Sequence, residues 1–396
     1  MLIKNISMLY GSELDFIPST NIRIQNKKFK IIQPTIKPCN KEESIDCEGL
    51  LLIPGFINAH THIGDSIGKD VMLNSSVDKK IHPVFGAKSK ILKNTSKENL
   101  ANFMKNTCYS MLKTGITTFV DFREGGLDGV LLLRKVLSDM PLRSIILGRM
   151  EFYQGSLEIK KNISFPKSKI NELTTLLKKC DGLGISGANE NSTSVLTHYS
   201  KIAKIRAIHS SETKQSISKS KKITGKSETI RALSLKPDFL VHMTYATKND
   251  LIAAAIATRG IVICPRANSS LAEGIPNIEL MQKAGCTIAL GTDNVMINSP
   301  DMFREMDFIW KATMGINKKI IDPKEILKMA TVNGGKILKK DIGIIQSEKI
   351  ADCIFLDKHA LDLEPMHNPH ASIVHRASES TIRAVMIGGE IVHGKI

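Results

Sequence analysis

Two histidines separated by one residue, His60 and His62, close the stretch Pro54-Gly55-Phe56-Ile57-Asn58-Ala59-His60-Thr61-His62. If the stretch is a strand, alternation turns both imidazoles to one face, where they can bind a metal with little further ordering. Such a pair alone is a weak signal, because paired histidines on a sheet surface usually bind nothing. Three more metal-binding side chains, His209, His242 and Asp293 (in Leu290-Gly291-Thr292-Asp293), stand at the ends of later apolar runs. Each taken singly is more often a hydrogen-bonded core histidine or a turn carboxylate than a ligand. A fold that brings all five to one place would make coincidence improbable.

The elements expected to position them alternate strand and helix from about residue 55 to 340. Eight short apolar runs read as strands: 55–60, 116–122, 143–148, 182–187, 205–209, 239–242, 261–264 and 287–291. Most are rich in Ile and Val, as parallel strands buried on both faces require. Helical spacing of Leu100, Phe103, Met104, Cys108, Met111 and Leu112 follows a Thr95-x-x-Glu98 capping box. Asp322-Pro323-Lys324-Glu325 opens another helix with N-cap, N1 proline and N3 acid in order. Residues 214–226, rich in Ser and Lys, read as a mobile loop after strand five. Eight such units in about 285 residues match a (β/α)8 barrel of TIM type, an α/β fold whose active site lies at the C-terminal strand ends. Short strands before it (2–6, 22–24, 29–32) and after it (342–345, 353–356, 384–387, 390–392) read as one composite β-sandwich made from both chain ends, with Gly388-Gly389 as a hairpin turn. The expected division is 1–54, 55–340 and 341–396.

The seven cysteines are scattered and form no CxxC pair, which argues against a disulfide framework or zinc finger and for a reducing, cytoplasmic location. No stretch reads as an export signal or a membrane span. The net charge of +16 comes from lysines spread along the chain, and aromatic content is only 5%, so nucleic-acid binding is not favoured.

With these motifs in view the chain resembles the amidohydrolase superfamily, in particular its cytosine, guanine and adenosine-derivative deaminase and chlorohydrolase branch. The resemblance rests on the His60-Thr61-His62 stretch, His209-Ser210-Ser211-Glu212, Val241-His242-Met243-Thr244, Cys264-Pro265-Arg266-Ala267-Asn268 and Leu290-Gly291-Thr292-Asp293-Asn294, and continues through Ile350-Ala351-Asp352-Cys353-Ile354. It implies that His60, His62, His209 and Asp293 ligate one divalent metal, zinc or alternatively ferrous iron, with His242 beside the attacking water. Three imidazoles and a carboxylate suit such a cation on chemical grounds as well. Asp293 and Glu212 would move protons and His242 would bind the developing oxyanion; a structural role for His242 and a solvated Glu212 are the alternatives.

The match fails at strand four. Gly184-Ile185-Ser186-Gly187-Ala188-Asn189-Glu190 carries neither the lysine of two-metal relatives nor the histidine segment of adenosine-type enzymes. One metal is expected, with Glu190 the alternative bridging carboxylate. After strand one, residues 63–70 lead into no tryptophan-containing stretch of the kind usual in those enzymes. Arg123, Glu124, Arg149, Glu151, Asn189, Arg266 and Asn268 follow strand ends and are candidates for substrate contact; internal salt bridges are the competing reading. His367-x-x-His370 lies after the barrel and reads as a surface loop. The HxE and PCxxC pattern of zinc deaminases of the other kind is absent. Deamination of a small heterocyclic amine is the first expectation. Cyclic-amide hydrolysis, dechlorination and a non-catalytic nucleic-acid-binding scaffold are the alternatives, and a homodimer is compatible with the resemblance.

Overall fold

The computed structural model describes every residue except 72–74, 76 and 83, and the backbone alone at 77 and 78. Its centre is a barrel of parallel strands, Phe56–His62, Ile116–Arg123, Arg143–Gly148, Gly182–Ile185, Ile205–Ser210, Phe239–His242, Ile261–Ile263 and Ile288–Leu290, each paired with the next in chain order. The ring is shut by a two-residue strand, Asp293–Asn294, which sets Asp293 opposite Thr61 and Asn294 opposite His62. Asn58 reinforces this closure, donating to Thr292 Oγ1 at 2.7 Å and accepting from the Thr292 backbone N–H at 3.0 Å. A Cβ at Gly291 would lie 2.7 Å from His60 Cβ, so only glycine lets the last strand come this close.

The strands are buried on both faces, as their continuous apolar runs demand. The helix Pro323–Ala330 starts as expected, with Asp322 Oδ1 accepting from Lys324 N at 2.9 Å. Two local expectations are corrected. The helix Lys97–Lys113 is capped by Ser96, whose hydroxyl accepts from Asn99 N, while Thr95 donates back to Ile91 O and finishes the preceding helix. Residues 214–226 are no loop: Lys214–Thr224 is a helix. Thr213 accepts from Ser216 N at one end and Gly225 takes the left-handed φ of 72° at the other. Caps at both ends, each worth about 1 kcal/mol, outweigh a Ser- and Lys-rich interior of modest propensity.

Leu2–Tyr10, Asp15–Gln25, Lys28–Gln33, Ser44–Asp46 and Leu50–Pro54 join Cys353–Asp357, Ile382–Ile387 and Glu390–Gly394 in one eight-stranded sheet. Leu50–Pro54 and Cys353–Asp357 are the antiparallel neighbours that link the two chain ends. The sheet curls round its own core of residues such as Ile3, Met8, Phe29, Leu52, Phe355 and Met386. The expected strand at 342–345 does not form. Gly343 has a φ of 71°, and the passage buries Ile342 with the barrel interior and Ile345 with the sheet core. No helix among the described residues is long and apolar enough to cross a membrane.

Candidate active site

The first strand delivers His60 and His62 to the barrel mouth with ring centroids 4.9 Å apart, on one face as their spacing requires. His60 Nε2 lies 3.2 Å from His209 Nε2 and 3.2 Å from Asp293 Oδ1, and His62 Nε2 lies 3.5 Å from the same oxygen. His60, His62 and His209 form one group of converging ligand atoms, and His60, His242 and Asp293 form an overlapping one. Asp293 departs from the sequence reading in one respect: it lies beyond strand eight, on the short strand that closes the ring.

Backbone carbonyls set the tautomers. His62 Nδ1 is 3.0 Å from Phe122 O, and His209 Nδ1 is 2.9 Å from Ile185 O. Each Nδ1 must therefore carry the proton and donate it, leaving an Nε2 lone pair aimed at the cluster. Burial pushes His60 down to about 3 and His209 well below the usual imidazole range, so both rings are neutral. For Asp293, burial acts upward, but hydrogen bonding from His60 and the surrounding imidazoles hold the carboxyl below its ordinary range. With His60 Nε2 donating to Asp293, the Nε2 atoms of His62 and His209 still face the cluster as lone pairs, and His60 Nδ1 has no partner among the described residues. A divalent cation would satisfy this donor set, and no group among the described residues does. Among the described residues Glu190 belongs to neither ligand group, which leaves the bridging alternative unsupported.

Beside the ligands, Glu212 Oε2 lies 3.7 Å from His242 Nε2. Burial raises the Glu212 carboxyl. His242 is oriented from behind by Asn268, whose Oδ1 lies 3.3 Å from Nδ1. Ser211, His242, Met243 and Asp293 have φ of 52°, 72°, 55° and 61°, a strained conformation for residues with side chains.

The candidate substrate contacts divide. Arg149 and Asn189 line the pocket over the ligands, as does Glu190. Asn189 is also tied into the wall, donating to Ser216 O at 2.8 Å. Arg123, Glu124, Arg266 and Asn268 do not line that pocket. Arg123 is packed against Gly64 and bonds Glu124 and the Met104 sulfur, so it is an internal strut. Glu124 Oε1 sits 2.6 Å from His62 Nδ1 and 2.5 Å from Lys88 Nζ and orients the ligand rather than a substrate. Arg266 reaches the buried Glu305 at 3.4 Å and Ser299 O. Asn268 serves His242, and Glu151 accepts from Gly125 N. His370 lies on the helix Pro369–His375, not a loop, and binds Leu14 O.

Sequence reasoning missed Lys88, Asp65 and Glu228. Lys88 and Asp65 pair at 3.4 Å, and Asp65 accepts from Asn294 Nδ2 and Met296 N, holding the segment after Asp293. Glu228 accepts from Ser211 N at 2.9 Å and Ser216 Oγ at 2.6 Å, fastening the loop that carries Glu212. Neither lysine nor glutamate sits in a motif; only the Asp65 position, three residues past His62, offered a local hint.

Residues 51–392 match the model of the Amidohydrolase family. The chain is 34% identical over 400 residues to a putative aminohydrolase of Methanothermobacter thermautotrophicus, with 99% of each covered. It is 29% identical over 417 residues to a 5-methylthioadenosine/S-adenosylhomocysteine deaminase of Thermococcus sibiricus, covering 99% of this chain and 93% of that one. Two solved structures share the fold: a guanine deaminase from C. acetobutylicum with bound guanine (TM-score 0.83, 15% identity, 99% of each chain) and a zinc-bound adenosine deaminase from Xanthomonas campestris (TM-score 0.79, 20% identity, 98% and 92%). With the family model matching most of its length, the chain belongs to the amidohydrolase family.

Proposed function

We propose that the protein hydrolytically deaminates a small heterocyclic amine, with one zinc ion held by His60, His62, His209 and Asp293. The observation that carries this reading is the convergence of those four side chains beside Glu212 and His242 in one pocket. Relatives across the full length bearing deaminase names support it. A cation held there supplies Lewis acidity that brings the pKa of water toward neutrality.

The protein's own groups do the rest. The Asp293 carboxylate takes the proton of the attacking water. His242, its Nδ1–H occupied by Asn268, presents Nε2 to the oxygen that adds to the amidine carbon. Glu212, whose carboxyl burial shifts upward, gives a proton to the ring nitrogen. The tetrahedral adduct then collapses: the exocyclic C–N bond breaks, the proton held on Asp293 leaves with ammonia, and the adduct's hydroxyl proton passes back to Glu212 as the C=O forms. Water is consumed, and the amine carbon becomes a carbonyl.

The test is ammonia release by zinc-loaded protein over a panel of amino-substituted nucleobases, nucleosides, pterins and triazines, with His60→Ala as control. Release that the control loses is the expected result. A protein that holds one metal yet releases ammonia from none of them would turn the assignment toward cyclic-amide hydrolysis.

A further inference from the structure

Two charged side chains on the pocket wall take no part in the chemistry above and lack adequate partners. Arg149, which follows the third strand, is 11% exposed at its side chain, and its guanidinium makes no hydrogen bond among the described residues. The nearest carboxylate, Glu124, is 3.7 Å away and already holds Lys88 and His62 at 2.5 and 2.6 Å. Glu190 follows the neighbouring fourth strand, and its carboxylate receives only a marginal bond from Ser186 at 3.5 Å. A Cβ at residue 187 would lie 2.9 Å from Glu190 Oε2, so Gly187 leaves the approach to that oxygen open. Buried guanidinium and carboxylate groups without partners are costly, and both face one cavity.

We infer that the substrate is a free oxo-substituted amino-heterocycle whose lactam edge is read by this pair, its ring N–H donated to Glu190 and its adjacent C=O accepting from Arg149. The inference rests on the deamination reading and narrows it. Two further observations separate a free base from a nucleoside. The cavity is about 140 Å³, on the scale of cavities that take up one flat aromatic molecule. Apart from Ile81 and Gly187, every lining residue among the described ones is polar or charged, so none of them but Ile81 offers an apolar surface to a thioether arm.

The experiment pairs turnover with binding. Wild-type kcat/KM is measured on guanine, cytosine and 2-amino-4-oxopteridine against adenosine and 5′-methylthioadenosine. Calorimetric binding of the same compounds is measured on zinc-loaded Glu212→Gln, and Glu190→Gln and Arg149→Gln are assayed on the best substrate. Oxo-bases should exceed the nucleosides by about 100-fold or more, and each wall variant should lose about 10²- to 10⁴-fold in kcat/KM, because a site built to hydrogen-bond an edge rejects its mismatch strongly. Neither variant should lower the melting temperature, since neither side chain is well bonded in the free protein. Nucleoside turnover equal to or above that of the bases, or wild-type kcat/KM in both wall variants, overturns the inference. Tight base binding to Glu212→Gln without turnover by the wild type would uphold this substrate class and overturn deamination; neither binding nor turnover overturns both.

Discussion

The two ends of the same barrel are built on opposite principles. At the floor, acids at strand starts are bound twice over. Asp181 accepts from Ile146 N at 2.8 Å and pairs with Arg134 at 2.9 Å. Asp238 accepts from Arg206 N at 2.7 Å and pairs with Arg259 at 2.5 Å. Asp352 accepts from Gly388 N at 2.7 Å and takes two bonds from Arg143, at 2.6 and 3.1 Å. At the mouth, His60 Nδ1, Arg149 Nε, Glu212 Oε1 and Asn268 Nδ2 are buried without a partner among the described residues, and four residues hold left-handed backbone. One set of strands thus carries a satisfied end that stabilises and an unsatisfied end that reacts, which is how strained sites persist in folded proteins.

The contrast predicts that mouth substitutions act on turnover and floor substitutions on stability. The largest effect is expected from His60→Ala or Asp293→Ala: turnover falls to background and bound metal, counted by elemental analysis, drops well below one per chain. Glu212→Gln comes next, keeping its metal while losing about 10²- to 10⁴-fold in kcat; full activity in that variant would remove Glu212 from proton transfer. Asn268→Ala should cost about 10- to 100-fold, since it frees the ring of His242 without touching substrate. At the floor, Asp352→Ala should leave kcat unchanged yet cost about 2–3 kcal/mol in denaturant unfolding. That is below the full range for a broken buried pair, because Arg143 is a third exposed. A loss of kcat there would dissolve the distinction between the two ends.

The smallest effect belongs to neither end. Glu42, in the terminal sheet region, is held down to about 2 by hydrogen bonds from Arg23 and Cys39 N. A depressed carboxyl stabilises the folded state above the unfolded value and loses that contribution as pH falls through the folded one. Stability should therefore decline between about pH 4.5 and pH 2, and Glu42→Gln should flatten that decline in urea midpoints taken across it.

Much of this was readable from the chain. Strand positions followed from apolar runs, and the meeting of His60, His62, His209, His242 and Asp293 at one mouth from their place at strand ends, because both signals are local. What failed was decided by packing. Arg123 and Arg149 stand equally close behind their strands, yet the first is drawn back against Gly64 while the second faces the pocket. Arg266 is captured by Glu305, 39 residues away in sequence. Glu228 and Lys88 matter only because helices outside any motif fold over the mouth. The helix over residues 214–224 was masked by its composition and revealed by its caps.

The closing strand has a consequence of its own. Asp293 offers its side chain to the ligand cluster while its neighbour Asn294 and its own backbone seal the cylinder against Thr61 and His62. An ion held by Asp293 would therefore make ion capture and barrel sealing one cooperative act, each strengthening the other through a shared residue. Stripping the ion should loosen the cylinder along this seam first, so that amide exchange quickens at residues 58–62 and 291–296 while the opposite staves stay protected. Affinity for such an ion would then be partly a measure of how firmly the protein's own wall is shut.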